Sequence, residues 1–314
     1  MDIDNNDYTH VHVPVMVEEV VRYLMPEYGK IYIDATIGAG GHAKALLNAG
    51  AKVIGIDQDE EILEIAKKRL IRFGDRIVLV NDNFENLYKI VKQYNIPPVD
   101  GILYDLGLSM FQINSPNRGF SFQIDAPLDM RMSLSSGELT AKIIVNEYSE
   151  REIFRIIKEY GEERWARGIA KAIVRNRPIN TTWELVDAVR QGLPKRARYP
   201  KHIHYATRTF QAIRIAVNNE LKVLDTSLKA ATSILKRGGR IVVISFHSLE
   251  DRIVKWCFLQ QAKEERLRII TKKPVLPKEI EKQQNPGARS AKLRVAEKNK
   301  KVYKEVPAPQ TLTE

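Results

Sequence analysis

Nine consecutive residues, Asp34-Ala35-Thr36-Ile37-Gly38-Ala39-Gly40-Gly41-His42, join an apolar run to a helix-forming one. A turn this rich in glycine lets a ligand approach the backbone and tolerates a positive φ that other residues resist. The next apolar run ends on Asp57, 19 residues after Gly38, the place from which a carboxylate accepts hydrogen bonds from two ribose hydroxyls. Turn and acid together point to a nucleotide-like ligand. In a dinucleotide site the helix N-terminus behind such a turn faces a pyrophosphate. S-adenosylmethionine has no phosphate and its sulfonium is cationic, so an acid just before the turn suits it better. Asp34 is that acid, placed either to order the loop or to hold the amino-acid end of the cofactor. Asp82 and Phe84 are expected at the adenine, Phe84 as a stacking ring or as plain core, and Asp105 at the methyl-transfer cleft. His247 is either a second proton acceptor or a residue that satisfies backbone groups beside Asp251.

These residues need a frame, and hydrophobic periodicity supplies one. Residues 30–35, 51–57, 76–81 and 100–105 read as short strands, with helical spacing between them, most clearly at Ile62, Ile65, Ala66 and Leu70. Gly50 stands where the first helix needs a C-terminal cap. Strands alternating with helices predict a parallel sheet covered on both faces. After Asp105 the rhythm is lost. Residues 109–134 show no period and read as a long ordered loop. Ser149 with Glu152 and Thr181 with Glu184 then form capping boxes ahead of helices. A helical segment over 210–235, stopped by Gly238-Gly239, leads into a fifth strand at 240–246, and 267–270 with 291–295 close the sheet as a hairpin. The expected division is an α/β domain from 1–113 and 215–302, a helical insertion for RNA recognition over 114–214, and a flexible tail at 303–314.

Composition sets the class. The 314 residues are 44% hydrophobic and 28% charged, as in ordinary folded proteins. A single cysteine, Cys257, excludes an internal disulfide and an all-cysteine metal cage, and fits a reducing cytosol. The acidic N-terminus is neither a secretory signal nor a transit peptide, and no apolar run nears the roughly 20 residues that span a bilayer. A soluble, cytoplasmic protein is expected. Net charge is +11 but uneven: residues 1–63 hold four Lys/Arg against eleven Asp/Glu, residues 164–214 twelve against two, and residues 263–304 fourteen against five. Two cationic surfaces of this kind suit a polyanionic partner, and charge alone is equally consistent with solvated basic helix faces.

Several segments together resemble the bacterial ribosomal RNA small-subunit methyltransferase H family. They are residues 12–20, the loop 38–42, Asp105-Leu106-Gly107, residues 118–122 and 127–132, residues 205–218, residues 238–252 around Ser245-Phe246-His247, and residues 285–294. They run in family order along nearly the whole chain. The resemblance implies transfer of a methyl group from S-adenosylmethionine to the exocyclic N4 of a cytosine in the decoding region of 16S rRNA, free or within the small ribosomal subunit. It implies a Rossmann-like class I methyltransferase sheet carrying an inserted helical domain. It also implies cofactor contacts by Gly40, Gly41, His42, Asp57, Phe84, Asp105 and Gln112. One departure stands out, because Met110-Phe111 replaces the family's usual Ser-Pro before Gln112 while the spacing from Asp105 is kept.

A cytosine amine is a poor nucleophile because its lone pair is delocalised into the ring. Catalysis therefore needs alignment and an acceptor for an N–H, for which Asp105 is the best candidate. No metal constellation is visible, and the transfer requires none. The target base must leave its stack, with Phe120, Phe122 or Tyr205 available to hold it, and Arg118, Arg131, Arg208, Arg214, Arg289 and Arg294 available for phosphates. The competing readings are a nicotinamide-dependent oxidoreductase, a methyltransferase acting on DNA or protein, and a non-catalytic RNA-binding assembly factor.

Overall fold

A computed structural model describes residues 14–135, 137–200 and 203–300. The tail expected at 303–314, and the matched His12 and Val13, lie outside the described residues.

Helix α1 (Val17–Leu24) leads into β1 (Ile31–Asp34), α2 (Gly41–Asn48), β2 (Lys52–Asp57), α3 (Glu60–Leu70), β3 (Ile77–Asn81), α4 (Leu87–Gln93) and β4 (Val99–Asp105). The period-based expectations for this half match the elements. Helix α5 (Met110–Asn114) follows, then α6 (Ala141–Glu147), α7 (Glu150–Gly161), α8 (Ala166–Arg175), α9 (Thr182–Gly192), α10 (Thr207–Asn218) and α11 (Glu220–Ile234). The chain closes with β5 (Leu235–Ser245), α12 (Ser248–Lys263), β6 (Leu267–Ile269), α13 (Glu279–Gln284) and β7 (Lys292–Lys298).

The seven strands run in the order β3-β2-β1-β4-β5-β7-β6. β1 to β5 are parallel, and β7 lies antiparallel to both β5 and β6, as the hairpin reading requires. This is the Rossmann-like class I arrangement. Strand order reverses between β1 and β4, and ligands of open α/β sheets bind in the crevice beyond the strand ends at such a point. Register brings the acids there: Asp34 pairs with Gly55 and Leu103, Asp57 with Asn81, and Asp105 with Ile244. One apolar core fills each face of the sheet, α4, α11 and α12 covering one and α1, α2 and α3 the other. A third core lies wholly between Phe120 and Phe210-Ile213, around Ile157, Ile169 and Leu185, and belongs to α6–α10.

Three expectations are corrected. The region 109–134 is not all loop, because Ser109 caps α5 and exchanges hydrogen bonds with Gln112 in a capping box. The helix expected over 210–235 is two helices, broken at Asn219 with φ 50°. Its end is Ile234 rather than the Gly238-Gly239 pair, because Leu235 already pairs with Val99 and the glycines serve an irregularity in the strand ladder. Position 214, expected as a boundary, lies inside α10, whose early turns pack in the insertion's core and whose last residue, Asn218, reaches back to the loop before α6. The capping boxes at Ser149 and Thr181 form as expected.

Helices α8 and α9 approach with almost no separation. A Cβ on Gly168 would stand 2.3 Å from the carbonyl oxygen of Gly192, a backbone atom with no means of giving way. Gly→Ala inside a helix ordinarily gains about 1 kcal/mol, yet Gly168→Ala is expected to destabilise by about 1–3 kcal/mol, the range for overpacking. Urea denaturation measures it, and a stabilised variant would contradict the contact.

Candidate functional site

A cleft opens beyond the carboxyl ends of β1, β2, β4 and β5. Gly41, His42, Asp57, Phe84, Asp105 and Gln112 all line it. Gly40 does not. It has φ 81°, and a Cβ there would lie 2.8 Å from Leu70 Cδ1, so its glycine is demanded by the turn and by the packing of α3 behind it. Gly38, at φ 49°, lines the cleft and gives its N–H to Asp57 Oδ2 at 3.0 Å, while Asp57 Oδ1 accepts from the Asp59 N–H at 3.0 Å. The acid expected to read ribose hydroxyls thus also holds the glycine turn. Phe84 packs edge-on against Tyr104, centroids 5.7 Å apart, and also lines the cleft. Asp82 turns away to accept from Asn83 N–H and Asn86 Nδ2, and Asn83 takes its place in the wall.

The buried polar groups form a chain behind this wall. Asp59, 2% exposed, caps α3 through Glu61 N–H, and its Oδ2 accepts from Gln112 Nε2 and Arg118 Nη2, both at 2.8 Å. Arg118, also 2% exposed, donates further to Glu61 Oε2, Arg131 O and Met132 O. Asn218 completes the connection by accepting from Met132 N–H and donating to Met130 O. Gln112 therefore borders the cleft with its amide committed to Asp59 and to the capping box. Ser109, not residues 110–111, aims it. Asp59 escaped the sequence reading, although an Asp followed by Glu60-Glu61 just before a helical period is a visible N-cap signal.

Asp34, 1% exposed, keeps Oδ2 without a hydrogen-bond partner, and so does Asp105 with its Oδ1. Asp105 Oδ2 stands 3.3 Å from His42 Nε2, and neither ring nitrogen makes a well-aligned hydrogen bond. Burial pushes the Asp34 carboxyl up to about 7 and that of Asp57 up to about 6. Burial alone would lower His42, but pairing with Asp105 outweighs it and raises the imidazole above its ordinary value. At the far end Glu220, His247 and Glu250 bring potential ligand atoms within 4.8 Å of one another, and Arg214 already lies bidentate on Glu220 at 2.8 and 2.9 Å. His247 caps α12 through Glu250 N–H, which is the backbone-satisfying alternative.

The comparisons with known proteins agree with one another. The model of the MraW methylase family matches residues 9–299. The chain belongs to this family. It is 54% identical over 294 residues to the ribosomal RNA small subunit methyltransferase H of Thermotoga neapolitana, covering 92% of this chain and 97% of that protein. It is 51% identical to the protein of the same name from Kosmotoga olearia, covering 93% and 98%.

For a methylase, the surface placement of basic residues matters as much as the cleft, and part of the expected phosphate set is not on the surface. Arg118 is a buried strut, Arg294 is 8% exposed and paired with Asp251, and Arg214 is committed to Glu220. Arg131 is paired with Asp129, and Arg208, although 41% exposed, lies 4.0 Å from Glu163 Oε2 and donates to Glu162 O. Phe120 is core.

Two measurements probe this architecture. Arg118→Met leaves Arg131 O and one side of Asp59 unpartnered and Met132 O with only the longer bond from Gln112 Nε2, so it is expected to cost about 3–5 kcal/mol in chemical denaturation. A loss below about 1 kcal/mol would show that the strut is not needed. For Asp34, the folded value lies above the unfolded 3.8. Its contribution is therefore complete below about 4 and lost as pH rises through about 7. Asp34→Asn removes the titration, so the variant should gain on the wild type between pH 5 and pH 8, by on the order of 1–4 kcal/mol. Parallel pH profiles for the two proteins would refute the assignment.

Proposed function

We propose that this protein transfers the methyl group of S-adenosylmethionine to the exocyclic N4 of a cytosine in the decoding region of 16S rRNA, acting in the cytoplasm on the small ribosomal subunit or its RNA. The observation that carries the reading is the match to a methylase family over residues 9–299, with relatives named for small-subunit ribosomal RNA that cover over nine-tenths of the chain. Among the described residues no helix is long and apolar enough to cross a membrane.

The cleft fits a cationic cofactor. One oxygen of Asp105, in the cleft wall, lacks a partner, as does one oxygen of Asp34, buried behind that wall, and a positive group in the cleft would supply the missing compensation. A pyrophosphate in that position would meet two carboxylates instead. Gly38 and Gly41 keep the wall close and unobstructed, Asp57 is placed for ribose hydroxyls, and Phe84 and Leu224 offer apolar surface for an adenine. When bound, the cofactor supplies an electrophilic methyl carbon on a sulfonium.

The rest falls to the protein. Asp105 is the acceptor that holds one N–H of the cytosine amine, turns its lone pair toward the methyl carbon, and takes a proton as the amine becomes cationic. His42 Nε2, 3.3 Å from the other oxygen of Asp105, keeps that carboxylate in place. Phe246 packs beside Gly107, where a Cβ would stand 3.6 Å from its ring, and both line the cleft next to Asp105, so that the ring offers an apolar surface for a flat base. Asn218, Glu220 and Glu250 form the polar end of the same cleft.

The test is transfer of labelled methyl to small subunits and, separately, to naked 16S rRNA, followed by nucleoside analysis. N4-methylcytidine is expected with at least one substrate, and Asp105→Asn should slow its formation by about 10²–10⁴-fold while the protein still binds the cofactor. Cofactor binding without any methylated nucleoside would move protein or DNA substrates to the front.

A further inference from the structure

Helix α8 presents an exposed ridge whose charge the fold does not neutralise. Its inner face, Ala166, Ile169, Ala170 and Ile173, is fully buried in the insertion's core. Arg167, Lys171 and Arg175 stand on the outer face at intervals of four residues, all exposed. Four residues advance a helix by about 6 Å, so the three cations form one row along an i±4 ridge. None of them forms an ion pair among the described residues. Other exposed helices of this chain differ: α7 pairs Arg155 with Glu159, α9 pairs Arg190 with Asp187, and α11 pairs Lys229 with Asp225. Like charges four apart destabilise a helix, and no acid occurs in the sequence from 164 to 183 to relieve them. A solvated surface helix has no need of such a row.

The row also has a fixed origin. Glu162, in the αL conformation between α7 and α8, accepts hydrogen bonds from Ser248 Oγ and from Arg252 Nη2 at the start of α12. That turn of α12 carries Glu250, which lines the cleft. Arg164, two residues beyond Glu162, is exposed and donates to Arg198 O at 3.0 Å, which sets exposed Arg198 beside it. The cationic surface therefore begins where the insertion is bonded to the first turn of α12, the turn that also carries the cleft residue Glu250.

We propose that the Arg167–Lys171–Arg175 ridge, rooted at Arg164 and Arg198, is a rail for the RNA phosphates that flank the modified cytosine. The proposal rests on the reading that RNA is the substrate. The rail carries no base readout; it fixes the strand's position by charge alone, so its contribution is salt-dependent and independent of sequence. The target base is delivered at the near end of the rail, where the insertion meets α12.

The test compares the wild type with Arg167→Gln/Lys171→Gln/Arg175→Gln and with a control that removes equal charge from α7, Arg151→Gln/Arg155→Gln/Lys158→Gln. Binding of a 16S rRNA transcript is followed against salt between about 50 and 200 mM, with thermal melts to confirm folding. The rail variant should bind about 10–100-fold more weakly at the low end and show a log K against log salt slope shallower by about two to three. Its methylation of small subunits should need more substrate for half-saturation and keep its turnover at saturation. The control should change the slope by less than about one. Equal losses in both variants, or an unchanged slope in the rail variant while wild type makes N4-methylcytidine, overturn the rail and leave the proposed reaction standing. RNA binding with the predicted slope change but no methylated nucleoside in wild type would instead overturn the reaction and keep the rail.

Discussion

The structure around the cleft depends on one buried carboxylate, that of Asp59. Its backbone N–H holds Asp57, which in turn holds the N–H of Gly38, so the glycine turn and the acid beside it are set in a single hydrogen-bonded sequence. Its side chain takes the first turn of α3, the amide of Gln112 and the guanidinium of Arg118. Through Arg118 the connection passes to Arg131 O and Met132 O, and through Asn218 to the end of α10. One ion thus ties the cofactor wall, the loop after β4 and the helical insertion together. A buried ion pair gives little net stability against an apolar alternative, because desolvation offsets most of its attraction. Its value lies in directionality, since an apolar cluster of equal volume would tolerate a shifted loop where this set of bonds does not.

A second constraint works by leaving groups unsatisfied. Folded proteins seldom bury polar atoms without partners, yet Asp105 Oδ1 and His42 Nδ1 in the cleft wall, and Asp34 Oδ2 buried behind it, are all in that condition. The cost is borne where a charged ligand would relieve it. Asp34 raised to about 7 and Asp57 to about 6 show a related effect from the proton's side: burial outweighs the hydrogen bonds each carboxyl accepts. The pattern accords with a site whose ligand is positive, and it separates this glycine turn from those that receive phosphate.

Much of the frame was legible because periodicity is local. A strand buried on both faces reads as a continuous apolar run, and the acids at 57 and 105 end such runs, so their meeting at the crevice followed from the sheet alone. The capping boxes at 149 and 181 were readable for the same reason. Less legible was any residue whose partner is distant in sequence. Arg118 read as a phosphate ligand because nothing near it signals Asp59, 59 positions earlier. Arg214 and Arg294 were misplaced in the same way, and the resemblance puts Gln112 at the cleft, which it does line, without signalling that its amide is bonded to Asp59. The break at Asn219 was hidden by helix-forming residues on both sides, since a single αL residue leaves the hydrophobic period almost intact.

The insertion is tied to the α/β part of the molecule at two places. Helix α10 runs from the third core to the cleft without interruption, ending on Asn218, which bonds both the 130–132 backbone and the end of its own helix. On the opposite side Glu162 bonds Ser248 and Arg252 of α12. Two separate tethers resist rotation of the insertion in a way that one could not, and both end on residues within a few positions of the cleft wall. A nucleic-acid backbone held by the insertion would therefore stand at a fixed offset from Asp105. For a reaction that depends on aligning a weak nucleophile, a rigid offset is worth more than a stronger grip, because alignment can supply several kcal/mol of the barrier and added ground-state affinity supplies none of it.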